Sequence, residues 1–115
     1  PFVVWGNRST VRDFVFVDDL VRAVMRVLGG GAGNADPINF SNGKPVTVGD
    51  LVDVVLKTCR HSVTPFYDAT KPTASPYRVL DNTKFDTLLG GGNRTSLAEG
   101  IGKTVEWYAS SLTRD

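Results

Sequence analysis

Two residues near the start of the chain, Trp5 and Arg12, have the chemistry to hold a phosphorylated ligand. A guanidinium presents a planar fork of donors that matches phosphate oxygens, and an indole offers a broad apolar face. Gly6, Asn7, Arg8, Ser9 and Thr10 form a polar turn between them, and Arg12 stands at the mouth of the apolar run Phe14–Val17. The alternative is that Trp5 fills the core and Arg12 pairs with Asp13, Asp18 or Asp19 on the surface, an arrangement of little energetic consequence.

Other candidate chemistry is weaker. Tyr67 and Lys71 have the spacing by which a lysine lowers a tyrosine pKa for proton transfer. That chemistry needs both side chains on one helical face. Pro65 precedes and Pro72 follows, so no regular helix forms and the spacing is accidental. The glycine-rich runs 29–33 and 90–92 follow helical patterns rather than strands and lack the G-x-G-x-x-G spacing, so they end helices rather than cradle phosphate. Cys59 and His61 are the only residues of their types, which leaves a metal without a usual ligand set. Cys59 is expected on the apolar side of its helix in a structural role, and His61 at the surface or a strand start. The sequons at Asn7 and Asn93 lack a secretory context and are chance.

The elements that must position these residues follow from periodicity and caps. The chain opens on an extended apolar segment, Phe2–Trp5, with proline rather than methionine at residue 1, as expected of a piece cut from a larger structure or of a chain whose initiator methionine is trimmed. Phe14–Val17 is short, aromatic and β-branched and reads as a strand. Asp18 and Asp19 then open a helix in which Leu20, Val21, Val24, Val27 and Leu28 recur at helical spacing, ended by Gly29, Gly30 and Gly31. A second strand is expected over Pro37–Ser41, with a turn at Asn42 and Gly43. Thr47 and Asp50 make a capping box for a helix over Leu51–Cys59, with Asp53 and Lys57 paired on its wet side. His61–Asp68 reads as a third strand, with Val63 and Phe66 inward and Pro65 at an edge.

Beyond it, two prolines in 69–76 require a loop, and Tyr77–Leu80 is extended. Asp81 caps a short helix reaching Leu88 and Leu89. Ser96 and Glu99 form a second capping box before a stripe of Leu97, Ile101, Val105, Tyr108 and Leu112. Gly100 and Gly102 in that helix each imply a close contact.

The fold class is therefore α/β, with three or four short strands and about four helices. The 115 residues make one unit, 1–115, with 41% hydrophobic and 22% charged residues, as in an ordinary globular protein. A net charge of +1 gives no pull toward nucleic acid, and no apolar run is long enough to span a membrane. One cysteine excludes an internal disulfide and fits a reducing compartment, so cytoplasmic residence is the expectation.

Read together, the motifs resemble a known family. W-G-N-R-S-T-V-R-D-F-V-F-V-D-D-L is similar to the W-G-x-G-x-x-x-R-D/E-F-x-x-V-x-D signature in the C-terminal part of extended short-chain dehydrogenase/reductases, the NAD-dependent epimerase/dehydratases that act on nucleotide sugars. P-I-N-F-S-N-G-K-P-V-T-V-G-D-L continues the match. D-A-T-K-P-T-A-S-P-Y-R-V-L-D resembles the D-x-S-K-P-x-G-x-P-R-x-x-x-D loop of the GDP-L-fucose synthase branch, and T-S-L-A-E-G-I-G-K-T-V-E-W-Y its last helix.

The resemblance implies the C-terminal part of a Rossmann-type nucleotide-sugar enzyme lacking its dinucleotide-binding half. The implied ligand is a nucleotide-diphosphate sugar, with Trp5 contacting the nucleotide, Arg12 the diphosphate, and Asp68, Lys71 and Arg78 lining the same pocket from the later loop. No catalytic residue and no cofactor site is implied in this chain; NAD or NADP belongs to the full-length enzyme. The other possibility is a stand-alone, non-enzymatic remnant acting as a binding or dimerisation module, with a Rossmann half or a second copy as partner. Arg8 stands where the signature has glycine, which predicts strain if that position needs a positive φ.

Overall fold

The first extended run, Val3–Trp5 (β1), pairs with Phe66–Asp68 (β4) rather than with a neighbour in sequence. The pair is parallel, in the register Val3 to Phe66, Val4 to Tyr67 and Trp5 to Asp68. A second pair, Val11–Asp13 (β2) with Pro45–Thr47 (β3), is antiparallel. Four helices complete the fold, Val17–Gly29 (α1), Val48–Thr58 (α2), Thr83–Leu89 (α3) and Leu97–Leu112 (α4). This computed structural model describes residues 1–30, 36–73 and 75–112. Gly31 and Gly33 of the first glycine-rich run, together with Ala74, lie outside the described residues.

Helices and caps follow the sequence patterns. The Thr47 hydroxyl accepts from the Asp50 backbone N–H at 3.0 Å, and the Asp50 carboxylate accepts in return, so the capping box is complete. The N-cap of α3 is Asn82 rather than the expected Asp81, and Asp81, one residue ahead, accepts from the Thr83 N–H at 2.8 Å and hydroxyl at 2.6 Å. These two bonds, the hydroxyl's first, hold the Asp81 carboxyl below its usual pKa. At α4 only half of the expected box forms. The Ser96 hydroxyl accepts from the Glu99 N–H, but the Glu99 carboxylate turns outward to Lys103 at 2.7 Å. Gly100 does lie against Phe16, where a Cβ would come within 3.3 Å of the ring, whereas Gly102 faces open space.

The strands depart from expectation, each for an identifiable reason. Phe14–Val17 is not a strand, because Phe16 is the N-cap of α1 and its carbonyl accepts from the Asp19 and Leu20 N–H groups. The ladder lies just upstream, at Val11–Asp13. Pro37–Ser41 forms no ladder either. The N–H and hydroxyl of Ser41 donate to the Asn82 side-chain oxygen, and the Asn82 amide donates back to the Ser41 carbonyl. Both residues are buried, so a side-chain amide takes the place of a neighbouring strand. The third strand is cut to Phe66–Asp68 because Pro65 has no N–H to donate, and the Phe66 N–H bonds to Phe2. Phe66 points outward rather than inward. Cys59 is exposed at the C-terminal end of α2 rather than packed inside it.

Among the described residues the buried apolar set is small, Ala23, Val52 and Phe85, with Phe40 tilted against Phe85 at 4.7 Å between ring centroids. Helix α1 turns its Asp19–Ala23 face inward. Its apolar stripe, Val17, Leu20, Val24, Met25 and Leu28, faces out. Buried Asp19 accepts from the Thr95 N–H at 2.7 Å and hydroxyl at 3.0 Å, and from Arg22, tying α1 to the lead of α4.

Candidate functional site

The candidate site begins where β1 ends. Gly6 has φ +100, a backbone state that glycine adopts without cost, and its N–H bonds to the Asp68 carbonyl at 2.9 Å. A Cβ at Gly6 would lie 2.6 Å from the Thr73 methyl, so the loop after β4 rests directly on this turn. Trp5 and Asp68 are register partners, and side chains alternate along a strand, so both fall on one face of the pair and Tyr67 on the other.

The Asp68 carboxylate accepts from the Thr70 N–H at 3.0 Å and hydroxyl at 2.6 Å. The chain bends there, and the Lys71 Nζ reaches 5.6 Å from the centre of the Trp5 ring. An ammonium over an indole face is an attractive arrangement. Trp5 is 69% exposed, so it fills no core among the described residues.

Arg12 comes from β2 and closes the other side of the same loop. Its guanidinium donates to the Ser75 carbonyl at 2.8 Å and to its own neighbour's carbonyl, Val11, at 2.6 Å. It does not pair with Asp13, whose carboxylate accepts from the Gly43 and Leu80 N–H groups. The Val11 N–H bonds to the Pro76 carbonyl and the Arg78 N–H to the Val11 carbonyl, which lays 76–78 along β2. Arg78 is thereby fixed in backbone beside Arg12, with its side chain exposed. The structure thus brings Trp5, Asp68 and Lys71 together and joins Arg12 and Arg78 to them through the 69–78 loop. A groove of about 610 Å³ lies elsewhere, lined by Leu20, Val24, Leu28, Ile38 and Leu80.

Tyr67 and Lys71 do not share a helical face. Tyr67 is in β4 and Lys71 in the loop, each with a separate partner.

One residue of the site's frame has no counterpart in the expected set. Arg8 is not at positive φ, so its substitution for glycine costs no backbone strain; the left-handed position falls on Gly6. Its guanidinium pairs with Asp53 at 2.5 Å and donates to the Tyr67 hydroxyl at 3.4 Å. Asp53 is therefore engaged here and not in the pair with Lys57 that helical spacing suggests. The Asp53 hydrogen bond and charge hold the Arg8 guanidinium above its ordinary pKa. The one available signal was its position in the turn, where the signature has a residue without a side chain.

A profile of the NAD dependent epimerase/dehydratase family matches residues 1–41. GDP-L-fucose synthase 1 of Arabidopsis thaliana is 32% identical over 110 residues, which is 96% of this chain and 33% of that protein. The chain is similar to the NAD-dependent epimerase/dehydratase family. Similarity to this family extends to the UDP-glucose 4-epimerase of Mycolicibacterium smegmatis, 33% identical over 91% of this chain.

Solved structures of the family share the fold. A GDP-L-fucose synthetase from Naegleria fowleri bound to NADP superposes with a TM-score of 0.87 at 18% identity, over 97% of this chain and 35% of that one. UDP-glucose 4-epimerase of Thermotoga maritima, solved with UDP-glucose, gives 0.79 at 30% identity over 96% of this chain and 35% of that one. The α/β class expected from the sequence is the one observed. The chain spans about a third of the length of the curated relatives it matches.

Proposed function

We propose that this chain is the nucleotide-sugar-binding portion of an NAD(P)-dependent epimerase, dehydratase or reductase, and that it is not catalytic by itself. The observation that carries the proposal is the convergence of Trp5, Asp68 and Lys71 on one strand face, with Arg12 anchoring the loop that closes it. Trp5 offers its exposed ring to the base. Lys71, over that ring, is the cation assigned to an adjoining diphosphate, and Arg12 contributes a second at the loop's other end. Asp68 sets the loop through Thr70.

The described residues do not fit a dinucleotide. A pyrophosphate seat needs a glycine-rich turn leading from a strand into a helix N-terminus. The β2–α1 junction carries Phe14, Val15 and Phe16, and the β3–α2 junction brings Gly49 under the Arg8 side chain. NAD or NADP is therefore assigned to the remainder of a family-length protein, which this chain would serve by presenting substrate.

The outward apolar stripe of α1 supports a partner. So does a radius of gyration of 16.8 Å, above the about 13 Å expected of a compact chain this long. The Rossmann half fills that role in this reading; a non-enzymatic module would fill it with a second copy, giving a homodimer.

Calorimetric titration with GDP- and UDP-sugars tests the assignment. Binding should weaken about 10- to 100-fold in Arg12→Ala and in Lys71→Ala, the range for a lost charged hydrogen bond. No heat with any nucleotide sugar from the unmutated chain would sink it. Turnover with NADH or NADPH would refute the non-catalytic part, and the mass in solution separates a monomer awaiting its Rossmann half from a dimeric module.

A further inference from the structure

We propose that Arg8 is a positioning residue, a clasp that fixes the candidate nucleotide-sugar site from behind, with Gly49 as its seat. This rests on the binding role proposed above and deepens it. The turn 6–10 carries Trp5 at one end and leads into Arg12 at the other, so its rigidity sets how well the two are held relative to each other.

Backbone bonds dock that turn on the start of α2. The Gly49 N–H donates to the Arg8 carbonyl at 2.9 Å and the Val48 N–H to the Thr10 carbonyl at 2.8 Å. The Arg8 side chain then runs along α2. A Cβ on Gly49 would lie 2.4 Å from Arg8 Cγ and 2.8 Å from Nε, so only glycine leaves room for the arm. Gly49 and Asp53 are four residues apart on one helical face, and the guanidinium ends on Asp53 at 2.5 Å. Its second nitrogen donates to the Tyr67 hydroxyl at 3.4 Å, with the guanidinium carbon 5.8 Å from the centre of that ring.

Tyr67 sits on the reverse face of β4 from Asp68 and next to it in sequence. Arg8 therefore links the turn, α2 and β4 without covering the face that Trp5, Asp68 and Lys71 share. The guanidinium spans the carboxylate and the phenol with two nitrogens held in a fixed plane, whereas a lysine offers a single nitrogen on a flexible stem.

Substitution at the seat separates positioning from folding. Gly49→Ala adds a residue of higher helix propensity to α2 and so does not lower the melting temperature through the helix, yet it displaces the Arg8 arm. The experiment uses the 115-residue chain with Gly49→Ala, Arg8→Gly and Arg8→Lys, reading amide hydrogen exchange at Gly6, Thr10 and Gly49 and calorimetric affinity for UDP-glucose and a GDP-sugar. Expected are faster exchange at those amides and affinity weakened about fivefold in Gly49→Ala and Arg8→Gly, the scale of a lost preorganised loop. Arg8→Lys should restore less than half of either.

Exchange at the unmutated rate in Arg8→Gly overturns the clasp. Faster exchange with unchanged affinity overturns its positioning role. Faster exchange in a chain that binds neither nucleotide sugar upholds the clasp and refutes the binding role instead.

Discussion

Replacing Asp19 with alanine should be the most damaging single polar substitution in this chain. The carboxylate is 3% exposed and joins elements far apart in sequence, accepting from the Thr95 N–H, the Thr95 hydroxyl and Arg22. Hydrogen bonds to a charged group contribute about 1.5–3 kcal/mol each, less than additively. Alanine would also leave the Thr95 N–H without an acceptor beside α4. The expected loss is about 3 kcal/mol, carried by the two Thr95 bonds because Arg22 is largely exposed and its pairing adds little. Asp19→Asn keeps one carbonyl oxygen for Thr95 but removes the charge facing Arg22, so it should cost about half as much. Urea unfolding followed by far-ultraviolet circular dichroism measures both. If Asp19→Ala falls within about 0.5 kcal/mol of the unmutated chain, the size of an ordinary surface change, Asp19 does not hold α1 to α4.

The two glycines of α4 should separate. Gly102→Ala meets nothing and should stabilise by up to about 1 kcal/mol, whereas Gly100→Ala presses on Phe16 and should gain less or lose, as thermal melts would show. Asp81 gives a pH signature. Its folded pKa is depressed by the Thr83 bonds, so its contribution is present above the unfolded carboxylate range and is lost as pH falls through the lowered value. Asp81→Asn should flatten that acid limb in a pH series of melts, and an unchanged limb would remove the Asp81–Thr83 bonds from the account. Lys103 behaves oppositely. Its pKa is raised chiefly by the Glu99 hydrogen bond, so its contribution is lost as pH climbs through the raised value, and Glu99→Gln should abolish that alkaline loss.

The helices were legible in the sequence because their signals are local. Thr47 and Asp50 lie within one turn of each other, and Asp18 and Asp19 stand at the start of the apolar spacing they introduce. The strands were less legible because a three-residue ladder is decided by a distant partner. Nothing near Pro37–Ser41 shows that Asn82 will take the Ser41 hydrogen bonds, and nothing near Phe16 shows that its ring will lie against Gly100. The site divides the same way. Trp5 and Arg12 stand out by residue type, but the approach of Lys71 to the Trp5 ring exists only once β1 and β4 are in register. Arg8 was visible as a departure from a motif, and its use required Gly49 and Asp53 in place.

The β1–β4 pairing also sets an order in time. Its partners are separated by roughly sixty residues, and closing so long a stretch costs entropy before any contact offsets it. Helices α1 and α2 form from neighbours and need not wait. The ladder that places Trp5 against the Asp68 loop is therefore the late step of folding, and during synthesis Val3, Val4 and Trp5 emerge long before the strand that pairs with them.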